Sequence, residues 1–297
     1  MIFSIIHKTI YKYDNNVTYC HNLAILKPKV FSGQNVLEYN LDITPTPTVI
    51  KDNIDFFGNV VTHFSIEKQH KDLIVTAVSK VDRSYKLQHN NFTSEACKSI
   101  TLAEALVKLN SLEPEIIDAK QFLLDSVLIK NISSTIHDYA KVSFKKDRSV
   151  FEAANDLMKR IFTEFKFDST FSTIATPIQE VMEAKKGVCQ DFAQVAIACV
   201  RSMGLPARYV SGYIETLPPP GKEKLVGTDA SHAWFSVFIP GFGWVDFDPT
   251  NNQIPKDQHI VISYGRDYYD VPPLKGIIYG SGKSIMQVSV DIRPAIL

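Results

Sequence analysis

The chain has 297 residues, with 32 Lys and Arg against 32 Asp and Glu, so its formal net charge at pH 7 is zero. This length suits one large domain or two ordinary ones. Apolar residues make up 45% and charged residues 22%, the proportions of a globular protein, which argues against extended disorder, collagen or coiled coil. The neutral balance also argues against nucleic-acid or anionic-membrane binding, because such proteins usually carry a basic excess.

The first residues give no sign of export. The opening stretch MIFSII is followed at once by His7 and Lys8. It lacks the basic start, the full apolar stretch and the small-residue cleavage site of a signal peptide. No other run reaches the ~18 apolar residues of a membrane helix. We therefore expect a cytoplasmic protein that makes no membrane contact.

The N-terminal part predicts strands. Residues 2–13, 37–43 and 60–66 alternate between apolar and polar side chains, and residues 73–81 are rich in β-branched types. Turn signals such as Gly58-Asn59 separate these runs. Several short strands with such punctuation predict a β-sandwich, and we assign residues 1–90 to a β-rich N-terminal domain.

Helical patterns follow a polar stretch without periodicity, residues 86–95, which we interpret as a linker. We assign residues 91–145 to a helical connecting segment and residues 146–297 to a C-terminal domain. The helices are expected at about residues 101–109, 114–128, 133–140, 149–164 and 177–184. The helix at 149 has a plausible N-cap in its first residue, because a serine there precedes a glutamate by three positions.

Four cysteines are present, and none forms a CxxC pair: Cys20, Cys97, Cys189 and Cys199. They are too few for a disulfide scaffold, so we expect reduced thiols. The adjacent pair Cys20 and His21 lacks a third ligand, and we expect neither a metal site nor a cofactor.

Cys189 precedes an almost wholly apolar helical run, residues 190–203, which predicts a buried central helix that ends near Gly204. The free N–H groups and the dipole at a helix N-terminus stabilise an anion, and they would lower the pKa of a thiol there. Cys189 is therefore a candidate nucleophile, although its position alone also fits a small buried residue. Cys199 lies deep in the apolar run and is expected to be a core residue.

Two β-rich runs, residues 231–239 and 244–248, flank a Pro/Gly turn and predict a hairpin. A loop that pairs Phe238 with Trp244 places Asp248 diagonal to His232 on one face, within reach of a hydrogen bond. Asp246 shares that face but lies opposite Ser236, farther from the histidine. Taken alone, these residues also fit a satisfied histidine with two acids at the rim. Together with the cysteine they form a possible Cys–His–Asp arrangement.

These residues resemble a known family. The runs TPIQEVMEAKKGVCQDFAQVAIACVRSMGLPARYVSGYI, SHAWFSVFIPGFGWVDFDPTNNQ and HIVISYGRDYYDVPPLKGIIYG resemble the core of bacterial transglutaminase-like proteins, which belong to the papain-like superfamily. IIHKTIYKY and DFFGNVVTHFSI resemble the β-rich domain that accompanies this core. The resemblance implies an α+β fold, in which a β-sandwich is followed by a papain-like domain with a central buried helix on an antiparallel sheet.

The resemblance also implies roles: Cys189 as the nucleophile, His232 as the base and Asp248 as the orienting acid. We expect a cysteine protease or amidase that cleaves peptide or isopeptide bonds through a thioester, with a protein or peptide substrate. A protein-glutamine gamma-glutamyltransferase and a non-catalytic papain-like interaction module are the alternatives.

The N–H of Cys189 is a natural oxyanion donor. We interpret three aromatic residues as core or rim residues rather than as part of an active-site cleft: Tyr213, Trp234 and Trp244. The segment 217–229 is interpreted as a loop beside that cleft. The sequence does not indicate the substrate or the oligomeric state.

Overall fold

The structure, a computed structural model, describes residues 1–83, 95–215 and 231–295. The first eight strands are β1 (Ile2–Val17), β2 (Tyr19–Ala24), β3 (Asn35–Thr44), β4 (Val49–Ile54), β5 (Val60–Ile66), β6 (His70–Asp82), β7 (Lys166–Phe167) and β8 (Lys186–Gly187). The others are β9 (Ala207–Ile214), β10 (Ser231–Ile239), β11 (Gly243–Phe247), β12 (His259–Gly265), β13 (Leu274–Tyr279) and β14 (Ser284–Pro294). The helices are α1 (Glu95–Ser99), α2 (Leu102–Lys108), α3 (Pro114–Lys120), α4 (Ser134–Ser143), α5 (Val150–Glu164), α6 (Ile178–Ala184) and α7 (Cys189–Ser202).

Two four-stranded sheets, in the orders β14-β1-β6-β3 and β13-β2-β5-β4, form the predicted sandwich. Apolar residues of both sheets meet between them, including Val17, Cys20, Phe64, Leu73 and Val75. Alternate residues of β6 are buried, as expected for strands that have one face toward a core. The N-terminal β-sandwich is therefore confirmed.

The last two strands belong to this sandwich. β14 pairs with β1 from Phe3 opposite Pro294 to Tyr13 opposite Ser284. β13 pairs with β2. The C-terminal strands thus complete both sheets that the N-terminal strands begin, and the division of the chain at residues 90 and 145 stays a prediction.

The second unit is a four-stranded antiparallel sheet, in the order β11-β10-β9-β12, with helix α7 packed on one face. Odd-numbered residues of the strands, among them Tyr209, Phe235 and Phe247, share the core of this helix. Every residue of α7 from 191 to 201 is buried. The predicted α+β fold, with a central buried helix on an antiparallel sheet, is confirmed.

The sandwich and the second sheet share an interface made of apolar contacts and hydrogen bonds. Phe3 and Ile5 of β1 pack with Tyr213 and Ile260 of the second sheet in one apolar cluster. The buried side chain of Gln34 donates to the Val261 carbonyl at 2.7 Å and accepts the Val261 N–H at 2.9 Å. This amide replaces a backbone partner and ties the sandwich to β12.

The predicted helices are present, with one difference. The N-cap at Ser149 is confirmed, because its Oγ accepts the N–H of Glu152 at 3.1 Å. The helix expected over 114–128 ends at Lys120 and continues only as a short 3₁₀ turn over 121–123, so its predicted end was wrong. Farther on, the N–H of Leu128 donates to the Asp267 carboxylate at 2.7 Å, a partner outside any helix.

Of the expected linker 86–95, only Glu95 is described, and the expected loop 217–229 lies outside the described residues. In the described parts of the chain, no helix combines the length and the hydropathy needed to cross a membrane.

Candidate active site

Cys189 is the first residue of α7, where three backbone N–H groups have no intrahelical acceptor. The entry into this helix is set by Gly187 and Asp191. Gly187 has a φ of +156°, and a Cβ there would lie 2.6 Å from the Asp191 carboxylate. That carboxylate accepts the N–H of Val188 at 2.8 Å, and the Ser172 hydroxyl donates to it as well. The turn before Cys189 is thus fixed by contacts that leave no room for a side chain at position 187.

His232 and Asp248 meet on the hairpin as the register required. Phe238 pairs with Trp244, and Ser236 pairs with Asp246, which confirms the register that places Asp248 diagonal to His232. His232 Nε2 donates to Asp248 Oδ2 at 2.8 Å. Asp246 instead accepts the indole N–H of Trp234 at 3.1 Å.

The Asp248 carboxylate is fully buried and heavily hydrogen-bonded. Its Oδ1 accepts the N–H groups of Thr250 and Asn251 at 3.0 and 3.2 Å. Its Oδ2 accepts from His232 and also from Asn251 Nδ2 at 2.8 Å and His259 Nε2 at 3.1 Å. Burial alone would raise the pKa of this carboxyl. The hydrogen bonds from His232 and His259 outweigh burial and hold the pKa well below its usual range.

His232 is buried between Asp248 and Cys189. Burial disfavours its charged form, but the hydrogen bonds and charges of Asp248 and Cys189 outweigh burial and raise the pKa of His232 to about 10. Because Nε2 is taken by Asp248, Nδ1 is the ring nitrogen left for the thiol. The structure thus brings together all three residues that the sequence singled out, with the imidazole in the middle.

Two members of this network escaped the sequence analysis. Asn251 Nδ2 lies 3.2 Å from His232 Nε2 while it donates to Asp248. His259, on β12, is buried, and its ring lies 5.1 Å from that of Trp234 in an edge-on contact. Asn251 follows Asp248 by three residues, a spacing typical of side-chain turns, which could have drawn attention to it. No local signal distinguishes His259, because β12 reaches Asp248 only through the fold.

The structure also shows where the other residues discussed in the sequence analysis lie. Cys199 is fully buried in the core, as predicted, and burial raises the pKa of its thiol to about 12. Tyr213 is a core aromatic whose hydroxyl lies 2.8 Å from His7 Nδ1 at the interface of the two units. Trp234 is fully buried in a small apolar cluster, and Trp244 is partly buried against the main core, so both are core or rim aromatics as predicted. Both also border a cleft on the face of the sheet away from α7.

Among the described residues, one group of side chains has the composition of a metal site: His232, Asp248 and His259, whose ligand atoms lie within 4.8 Å of one another. Their separations of 2.8 and 3.1 Å are those of hydrogen bonds, with the two imidazoles as donors and the carboxylate as acceptor. The pairing of donors and acceptors accounts for the cluster without an ion.

A cysteine at the start of a buried helix, beside a histidine on a strand of an antiparallel sheet, defines a protein of the papain-like class. Within that class, residues 138–249 match the model of the transglutaminase-like superfamily. Residues 3–82 match the bacterial transglutaminase-like N-terminal region. The chain belongs to this transglutaminase-like family.

Full-length relatives agree with this assignment. An uncharacterized protein of Mycobacterium tuberculosis is 39% identical over 297 residues, which cover 98% of this chain and 92% of that protein. A crystal structure from Cytophaga hutchinsonii, provisionally named a cysteine protease, has the same fold at a TM-score of 0.76 and 22% identity. It covers 100% of this chain and 92% of that one. A shorter match, 34% over 77 residues, links 26% of this chain to 12% of a protein-glutamine gamma-glutamyltransferase of Pseudomonas aeruginosa.

Proposed function

We propose that this protein is a cysteine hydrolase of the protease or amidase type, with Cys189 as the nucleophile, His232 as the acid–base group and Asp248 as the orienting acid. The observation that carries the proposal is the position of His232. Its Nε2 is hydrogen-bonded to a buried carboxylate, and its other side meets a cysteine at a helix N-terminus. A protonated imidazole in that position stabilises a thiolate at neutral pH.

The proposed reaction begins with attack of the Cys189 thiolate on the carbonyl carbon of a peptide or isopeptide bond. The oxygen takes up the displaced electron pair, and the N–H of Cys189 is placed to donate to it. The His232 imidazolium then gives its proton to the departing amine as the C–N bond breaks, which leaves a thioester. Water, deprotonated by His232, hydrolyses the thioester and restores the thiol.

The hydrogen bonds around Asp248 support the role assigned to it. A carboxylate that accepts five hydrogen bonds stays ionised, and it fixes the imidazole with Nε2–H toward the acid and Nδ1 toward the sulfur. Such an arrangement raises the basicity of His232, in keeping with its pKa of about 10.

An acyl transfer to an amine is the second candidate, favoured by the local match to the Pseudomonas aeruginosa protein-glutamine gamma-glutamyltransferase. The nucleophile, the base and the thioester would be the same, and only the acceptor of the acyl group would differ. A protein or peptide is the proposed substrate in both cases.

The first test measures the rate of alkylation at each cysteine against pH by mass spectrometry, in the native protein and in His232→Ala. We expect Cys189 to react rapidly well below the ~8.5 of an ordinary thiol, and His232→Ala to move its profile to higher pH. The fully buried Cys199 serves as an internal control that stays slow in both proteins. If Cys189 is alkylated no faster than Cys199, and its rate is the same in His232→Ala, the catalytic proposal fails. The protein would then be better described as a non-catalytic interaction module.

A second assay separates hydrolysis from transfer. Peptide and isopeptide substrates are incubated with and without a primary amine, and the products are identified by mass spectrometry. Hydrolysis predicts free acid in both samples, whereas transfer predicts the amine-linked product as the main species when the amine is present. Cys189→Ala must abolish either reaction, and Cys199→Ala, a matched change at a core cysteine, must not.

A further inference from the structure

A cleft of about 710 Å³ lies on the face of the second sheet that is turned away from α7. Residues of three strands form one side of it: Arg208, Trp234 and Trp244. Phe31 and Arg83 of the sandwich contribute to the opposite side. The cysteine and the histidine of the candidate triad do not line it. The cleft is therefore a separate concave site between the two units, in the size range of ~300–1,000 Å³ usual for small-molecule sites.

Arg208 is held in this cleft by aromatic rings rather than by an acid. Its guanidinium carbon lies 3.6 Å from the centre of the Tyr264 ring and 4.3 Å from that of Trp244. Asp246 lies on the same face of the sheet, because Ser236 pairs with both Arg208 and Asp246, and its negative charge attracts the Arg208 guanidinium. Within the described ranges, no carboxylate oxygen lies within 4.0 Å of the Arg208 guanidinium.

Arg83 brings a second guanidinium to the cleft. Its terminal nitrogens donate to the carbonyls of Gly33 at 2.7 Å and Lys256 at 3.1 Å, and it too lacks a salt bridge among the residues that the structure describes. The charged residues that line the cleft are Arg83, Arg208, Lys256, Asp246 and Asp257. Among the residues that the structure describes, three cations against two acids leave the cleft with one unbalanced positive charge.

The Nε atoms of Arg83 and Arg208 are both buried, and neither has a hydrogen-bond partner within residues 1–83, 95–215 and 231–295. A buried donor without a partner is costly, and native proteins usually supply one. Guanidinium groups pair preferentially with carboxylate and phosphate oxygens, and a guanidinium clamped between rings is already oriented to do so. The aromatic walls exclude water around it, which strengthens the attraction for an anion.

We propose that this cleft binds a small organic anion, a molecule with an apolar body and one anionic group, which pairs with Arg208 and Arg83. The apolar body packs on Trp234, Trp244 and Phe31. The proposal concerns binding alone and does not depend on the reaction proposed above. It assigns the two unpaired Nε atoms an acceptor that the described part of the chain does not provide.

The two tryptophans of the chain, Trp234 and Trp244, both line the cleft, so intrinsic tryptophan fluorescence reports on this site. The probe is 3-cyclohexylpropionate, which does not absorb at the excitation wavelength. Its neutral amide, 3-cyclohexylpropanamide, has nearly the same shape and is the matched control. We expect a saturable change in fluorescence with the carboxylate, and binding of the amide weaker by about tenfold or more.

Arg208→Gln and Arg83→Gln are each expected to weaken binding of the carboxylate about tenfold while leaving that of the amide unchanged. Arg293→Gln, an exposed arginine outside the cleft, is the control and should bind like the original protein. Circular dichroism verifies the fold of each variant. Should Arg208→Gln fail to fold, Arg83→Gln decides the question, because its side chain is held by only two carbonyls at the rim of the sandwich.

Three results would overturn the proposal. The first is the absence of a saturable change up to about 10 mM carboxylate, which corresponds to binding too weak for a built site. The second is equal affinity for the carboxylate and the amide, which would make the cleft an apolar cavity without anion recognition. The third is unchanged carboxylate affinity in folded Arg83→Gln and Arg208→Gln.

Discussion

The two faces of the sheet β11-β10-β9-β12 are built from alternate residues of the same strands, yet they differ in chemistry. The face toward α7 is apolar and closed, with Tyr209, Phe235 and Phe247 in the core. The opposite face carries Arg208 and Asp246 beside two tryptophans and opens into a cleft. A strand places successive side chains on opposite faces, so one sequence can build a core and a binding surface at once.

The candidate triad lies where these two faces come together. His232 and Asp248 have the parity of the cleft face, whereas Cys189 belongs to the helix that covers the other face. His232 stands near the start of β10, where the helix N-terminus can reach it. Asp248 and His259 extend the network toward the cleft, because His259 lines it as well. The difference between the faces thus separates the candidate triad from the proposed anion-binding cleft, and His259 contacts both.

The largest effect is expected from Asp248→Asn. This substitution removes the negative charge at the junction of the two faces and keeps nearly the same side-chain shape. We expect turnover to fall by about 10²–10⁴-fold, because the imidazole loses the group that orients it. The pKa of His232, about 10 in the native protein, should fall, because a carboxylate no longer favours the imidazolium. The alkaline limb of the pH–rate profile should therefore move to lower pH.

The titration of His232 can be followed by NMR without any substrate. Asp246→Asn is the matched control, because Asp246 shares the face but bonds only Trp234. A His232 pKa that is the same in Asp248→Asn and in the native protein would contradict the role given to the carboxylate.

A smaller effect contrasts the two faces directly. Phe235→Ala, on the closed face, should lower the free energy of unfolding by about 3–5 kcal/mol, because the surroundings cannot fill the space. Trp244→Phe, on the cleft face, should cost about 1 kcal/mol, because its ring is only partly buried. Urea denaturation followed by circular dichroism measures both. Equal costs would mean that the cleft face is as tightly packed as the core.

The last prediction concerns the histidine that connects Asp248 with the cleft. His259→Ala removes one donor to a buried carboxylate and should cost about 1.5–3 kcal/mol of stability at pH 7. His259→Gln, which keeps an N–H donor, should recover part of this loss. The pKa of Asp248 is depressed in the folded protein, so its hydrogen bonds stabilise above pH ~4, and this contribution is lost as the pH falls.

The stability gap between the native protein and His259→Ala should therefore narrow on acidification below pH ~4. Denaturation curves at several pH values test this. A gap that stays constant over the same range would show that His259 acts through packing on Trp234 rather than through the carboxylate.

Much of the fold could be predicted because it depends on local periodicity. The alternation in β1, β3, β5 and β6 gave the sandwich strands, and the apolar run after Cys189 gave the buried helix. The alternation of side chains along the hairpin strands indicated that Asp248 and His232 share one face if Phe238 pairs with Trp244. The structure has this register. The end of the helix after Lys120 was missed, because residues beyond it bond to Asp267, which is distant in the sequence.

By itself, then, the sequence determined the main helices, four strands of the sandwich, the hairpin, the position of Cys189 at a helix start and the side of the hairpin that carries His232. These follow from backbone geometry within a few residues, which every local pattern records. Only the tertiary structure decided that β13 and β14 return to the sandwich, that His259 reaches Asp248 and that Arg83 and Arg208 face one cleft. Those meetings depend on how whole elements pack and register against one another, and no local pattern contains that information.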